Sequence, residues 1–166
     1  MSHGKRGAVY GVDDDELQID NIYEHLSTKN CPELVDKPKI IMIQACRGAQ
    51  HGAVIKHDDH KPLMEVDSHN AVGGDIEEDT IRFLHKEKDF IALLSCTPDT
   101  VSYRDKSKGS FLIQFTVEVF DEFAQTCHIE ELFQKIMKKF ADLHCKWKQM
   151  PTKDRCTTPR NFYFYP

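Results

Sequence analysis

Ile40-Ile41-Met42-Ile43-Gln44-Ala45-Cys46-Arg47-Gly48 is the stretch on which the reading of the fold turns. Four apolar residues follow one another without a polar interruption, Lys37-Pro38-Lys39 precedes them, and polar residues closing on a glycine follow. A short continuous apolar run between breakers suits a strand buried on both faces, whereas a surface helix would show a longer stripe of period 3.6. A second run of the same kind, Phe90-Ile91-Ala92-Leu93-Leu94, follows a helix-like segment at 79–88 and leads into the polar turn Thr97-Pro98-Asp99.

Outward from these two strands the pattern changes to that of helices. Ile19, Ile22, Tyr23 and Leu26 recur at helical spacing and predict a helix over 15–28, stopped at Cys31-Pro32. Phe111, Leu112, Phe115, Val119 and Phe123 predict another over 110–125. Ile129, Leu132, Phe133, Ile136, Met137 and Phe140 predict a third, with Thr126 as its N-cap and Lys138 and Lys139 where the helix dipole favours cations. The aromatic tail Asn161-Phe162-Tyr163-Phe164-Tyr165 reads as a strand, expected to pair internally or against another subunit because an exposed one would aggregate. Strands alternating with helices predict an α/β fold built on a mainly parallel sheet, with no internal repeat.

The 166 residues, 40% hydrophobic and 30% charged, are enough for one core. A formal net charge of −5 supplies no broad basic surface for phosphates, which argues against nucleic acid and against anionic membranes as partners. No stretch approaches the roughly 20 apolar residues of a membrane span, and the opening Met-Ser-His-Gly-Lys-Arg lacks the apolar run of a signal peptide, so the expected location is cytoplasmic. Six scattered cysteines do not imply disulfides in a chain of this size. The histidines of 51–69 (His51, His57, His60 and His69) have no metal-ligand spacing, and neither metal nor cofactor is expected; a solvated loop is the plainer account of them. Over 58–79 eight acids face a single lysine, the composition of a mobile, protease-accessible loop.

Cys46 stands two residues past the apolar run, where open α/β sheets gather reactive groups. A cysteine after a buried strand is most often a small hydrophobe, so the position alone does not make it a nucleophile. A reactive thiol needs a base to take its proton, and His3 is the candidate. It also needs two amides facing the oxygen that becomes negative; those of Gly4 and Cys46 are the candidates, since glycine lets backbone approach closely.

Gln44-Ala45-Cys46-Arg47-Gly48 matches a known caspase signature. The likeness extends through Met1-Ser2-His3-Gly4, Lys29-Asn30-Cys31-Pro32, Asp36-Lys37-Pro38-Lys39, Glu87-Lys88-Asp89-Phe90-Ile91-Ala92, Thr97-Pro98-Asp99, Val101-Ser102-Tyr103-Arg104, Gly109-Ser110 and Gln149-Met150-Pro151-Thr152. Several motifs in one order over nearly the whole chain make it resemble the caspases, most closely their inflammatory, interleukin-1-converting branch.

That resemblance implies an endopeptidase of inflammatory or cell-death signalling, cutting proteins after aspartate, with Cys46 as nucleophile, His3 as base and Gly4 in the oxyanion pocket. It implies that Gln44, Arg104 and Ser110 hold the substrate carboxylate, that Val101 and Tyr103 line the neighbouring subsite, and that Ser102 and Arg104 pair with the substrate main chain. An arginine fork suits a carboxylate, which it meets with two charge-assisted hydrogen bonds. It implies a large-subunit part at 1–57, an intersubunit linker at 58–79 cut at Asp58, Asp67 or Asp79, and a small subunit at 80–166. The two subunits are expected to stay associated, as a dimer of heterodimers. Caspases carry a prodomain, further strands and another pocket arginine before the histidine, so the expectation is a catalytic domain lacking its first strand or strands. Two other readings stay open here: an inactive caspase-like regulator that pairs with intact caspases, and an interaction domain of unrelated function.

Overall fold

A computed structural model of the chain describes residues 3–52, 84–144 and 148–165. Strand β4 (Lys39–Ile43) and strand β5 (Phe90–Leu94) fall on the two apolar runs and pair in parallel, in the register Lys39↔Phe90 to Ile43↔Leu94. On its other side β5 pairs antiparallel with β8 (Thr152–Asp154), so the sheet order is β4-β5-β8. The α/β class stands, with a mixed sheet.

Side chains of a strand alternate between faces, and β5 uses both. Ile91 and Leu93 enter one core with helices α2 (Phe111–Phe123) and α3 (Ile129–Ala141), which contribute Leu112, Val119, Leu132, Phe133, Ile136 and Phe140. Phe90, Ala92 and Leu94 enter a second core with Ile43, Ala45 and, from helix α1 (Ile19–His25), Ile19 and Tyr23. All five residues of β5 are buried. In β4, Met42 is exposed instead, because β4 is the edge strand of the described sheet.

Four expectations are corrected. Helix α1 begins only at Ile19, because Glu16–Gln18 form β3, which pairs with β2 (Ala8–Tyr10); β2 pairs in turn with β1 (Gly4–Lys5), and these cross-strand bonds win over helical spacing. The helix-like segment 79–88 is a turn in its described part, Leu84 to Lys88, closed by Lys88 N–H on the carbonyl of His85. Thr126 does not cap α3: its hydroxyl donates to the carbonyl of Phe123, while His128 is the N-cap residue and its amide donates to Glu131 Oε2 across 3.0 Å. The tail 161–165 forms no strand. The edge of β5 is taken by β8, and the tail packs by its rings, Phe164 lying 5.3 Å from Phe120 and 5.2 Å from Phe162 between centroids. The carbonyl of Phe162 also accepts from the amide of Ile129. No helix among the described residues is long and apolar enough to cross a membrane.

Candidate active site

The parallel pair β4–β5 brings two chain segments out of the sheet side by side, 44–51 after β4 and 95–103 after β5. They are laced together by their main chains. Arg47 N–H donates to Thr100 O, Asp99 N–H to Arg47 O, Gln50 N–H to Asp99 O, and Val101 N–H to Gln50 O, all between 2.9 and 3.2 Å. Gly48 permits this approach, because a Cβ there would lie 2.3 to 2.5 Å from the backbone of Asp99.

Cys46 is thereby set against Ser102. The Ser102 amide donates to Sγ across 3.4 Å, and Sγ lies 3.7 Å from the Ser102 carbonyl. The peptide just before Cys46 is held by hydroxyls: Ser95 Oγ donates to the Ala45 carbonyl (2.7 Å) and accepts from the Ala45 amide (3.2 Å). Ser102 Oγ lies 2.6 Å from Ser95 Oγ and 3.1 Å from the same carbonyl. Each hydroxyl has one proton and two lone pairs, so this small network is satisfied internally and fixes the direction of the main chain entering Cys46.

The N-terminal hairpin reaches the same place. Gly4 sits so close to Cys46 that a Cβ would meet the Cys46 carbonyl oxygen at 2.5 Å and the Ala45 side chain at 3.0 Å. His3, next to it, is exposed and anchored through its carbonyl, which accepts from the Tyr10 amide at 2.9 Å. Tertiary structure thus carries the first described residues of the chain onto the end of β4.

Gln44, Arg104 and Ser110 also converge. Strands β6 (Arg104–Asp105) and β7 (Gly109–Ser110) form a hairpin that pairs Arg104 with Ser110. Ser110 Oγ donates to Gln44 Oε1 at 2.7 Å and accepts from the Ile113 amide, so one hydroxyl ties Gln44 to the start of α2. The hairpin turn is tied by Asp105, whose carboxylate accepts from the Ser107 hydroxyl and from the amides of Ser107 and Lys108. Those bonds, the hydroxyl first, pull its pKa down to about 2. Val101 and Tyr103 flank Ser102 and are half-buried.

Three residues that sequence reasoning left without a role belong to this region. Gln149, buried, accepts from the Tyr103 amide (2.7 Å) and donates to the Ser95 carbonyl (2.7 Å), bridging the two ends of 95–103. His51, read as part of a solvated loop, places Nδ1 2.7 Å from the Tyr103 hydroxyl. Ser95 stands just past β5 as Cys46 stands past β4, and the rule that reactive groups follow strand ends points to it equally. Gln149 stands in one of the motifs of the family likeness, but its residue type gives it no role there, and nothing in the sequence pattern places His51 beside Tyr103. Asp58, Asp67 and Asp79, with His57, His60 and His69, lie outside the described residues.

Residues 1–163 match the caspase domain, and the chain belongs to the caspase family. It is 46% identical over 175 residues to caspase a of Danio rerio, 42% identical over 171 residues to caspase-1 of Equus caballus, and 40% identical over 171 residues to caspase-13 of Bos taurus. Each comparison covers all of this chain and 43%, 42% and 45% of those relatives, so the chain spans less than half of their length.

Proposed function

We propose that the chain carries the thiol-protease site of an aspartate-directed caspase of inflammatory or cell-death signalling. The observation that supports this most is the contiguity of two chemistries. A cysteine sulfur receives the amide of Ser102, and two residues further along the chain Arg104 stands opposite the Ser110 that binds Gln44.

Cys46 Sγ, as thiolate, attacks the substrate carbonyl carbon, and the amides of Gly4 and Cys46 take the charge that forms on oxygen. His3 accepts the thiol proton and delivers it to the leaving amine as the C–N bond breaks, leaving a thioester on Cys46. A water then adds to the thioester, His3 taking its proton and returning it to sulfur, and the product leaves as a carboxylic acid. The closeness of Gly4 to the Cys46 carbonyl supports placing His3 in this role.

Aspartate selection follows from donors in the pocket, the Arg104 guanidinium and the Gln44 side-chain amide, the latter oriented by the Ser110 hydroxyl that donates to its oxygen. The Tyr103 amide is turned inward to Gln149, so by the alternation of an extended strand Ser102 and Arg104 face the cleft with their main-chain groups. A substrate added there in extended form gains main-chain bonds. The same reading takes 1–57 and 80–166 as parts of large and small subunits that stay associated, 58–79 as the linker cut at one of its aspartates, and the cytoplasm as the location. A cytoplasmic setting agrees with a free thiol at Cys46.

The test is a fluorogenic tetrapeptide ending in aspartate. Turnover by the purified chain, abolished in Cys46→Ala and at least about a hundredfold weaker when asparagine replaces the peptide's aspartate, is the expected result. A chain that binds intact caspases yet releases no fluorophore overturns the protease reading in favour of a regulator.

A further inference from the structure

The segment after Cys46 does more than pack on 99–101. The bridge between Gln50 and Thr100, with Gln50 N–H on Asp99 and Val101 N–H on Gln50, delivers His51 to the side of Tyr103. There the two rings lie nearly parallel, 9° between planes and 6.1 Å between centroids, and His51 Nδ1 is 2.7 Å from the Tyr103 hydroxyl. Tyr103 is held at its other end by Gln149, which accepts from its amide.

We propose that His51 is a positioning residue that fixes the Tyr103 ring as one wall of the subsite for the substrate residue preceding the aspartate. This rests on the aspartate-directed reading given above. With the reactive carbonyl at Cys46 and the aspartate carboxylate at Arg104, an extended substrate turns its next side chain to the opposite face, beside Tyr103. A phenol on the rim of a cleft has several staggered orientations open to it. The hydrogen bond to His51 selects one, so that a branched side chain meets a formed wall instead of ordering one on binding.

Two aspartyl tetrapeptides that differ only in the residue before aspartate, valine against glycine, read this directly. His51→Ala is expected to raise KM for the valine peptide about three- to tenfold, the worth of one net hydrogen bond, leaving kcat within about twofold and the glycine peptide unaffected. His51→Asn, whose Oδ1 falls near the position of Nδ1, is expected to behave as wild type. Tyr103→Phe is expected to match His51→Ala, and the double variant to be no worse than either. An equal loss on both peptides, a fall in kcat, an asparagine variant as impaired as the alanine one, or additive effects would each overturn the assignment and leave His51 as a clamp between loops. Absence of turnover by the wild-type chain on either peptide is a different result, which overturns the protease reading itself and this inference with it.

Discussion

The amide of Ser102 donates to the sulfur of Cys46 across 3.4 Å, while the hydroxyl of the same residue reaches back to Ser95 and Ala45. One residue therefore touches the candidate nucleophile through its main chain and supports the preceding peptide through its side chain. Ser102→Ala keeps the first contact and removes the second. Because Ser95 still serves the Ala45 carbonyl, the expected cost is that of a single net hydrogen bond, about 1 kcal/mol, read as a roughly fivefold fall in kcat/KM on an aspartyl peptide. A variant indistinguishable from wild type would show that this support is idle.

Arg104 meets Ser110 across a two-strand hairpin, and Ser110 meets Gln44. Arg104→Lys keeps the charge and loses the planar fork. The expected fall in kcat/KM for aspartyl peptides is about ten- to a hundredfold, from about 1.5–3 kcal/mol for a charge-assisted bond. The check is kinetic comparison with the same chain, and equal activity of the lysine variant would remove Arg104 from the carboxylate pocket.

Gly48 has no room for a side chain. A Cβ would stand 2.3 to 2.5 Å from backbone atoms of Asp99, which are themselves hydrogen-bonded to Arg47 and Gln50. Gly48→Ala is expected to force the two segments apart and to cost about 1–3 kcal/mol, measured as a lower midpoint in denaturant, with activity falling alongside. An unchanged midpoint would mean that the Arg47–Thr100 lacing is dispensable.

Asp105 gives a pH prediction. Its pKa is drawn from the ordinary 3.8 down to about 2, so the hairpin is favoured in full above pH 3.8, where folded and unfolded chains both carry the carboxylate. As the pH falls below 3.8 the unfolded chain takes the proton first, and the contribution shrinks until it is lost as the pH passes about 2. The carboxyl carbon resonance of Asp105 is expected to titrate near 2 in the native chain, and Ser107→Ala, which removes the hydroxyl that contributes most, is expected to shift that midpoint upward. A native midpoint at 3.8 would contradict the turn described here.

Apolar patterns were legible where burial imposes them: β5, buried on both faces, lies on the unbroken run 90–94, and α2 and α3, each buried along one face, lie on their stripes. The small sheet β1-β2-β3 and strand β8 were not, since strands of two or three mostly polar residues carry no period. Thr152–Asp154 is a strand because β5 offers it an edge. The same holds for the site. Cys46, Gln44 and Gly48 announce themselves in one pentapeptide, and Arg104 and Ser110 in motifs of their own. Gln149 and His51 take their places only through contacts with residues far away in the chain.

By itself, then, the sequence determined the chemistry on offer and the strands that carry it, because residue type and local periodicity are properties of short stretches. Which groups meet was decided by the tertiary structure alone. The parallel pairing of β4 with β5 sets 44–51 against 95–103, and the N-terminal hairpin lays Gly4 on the Cys46 carbonyl. Such juxtapositions depend on pairing between distant segments, about which no local pattern carries information.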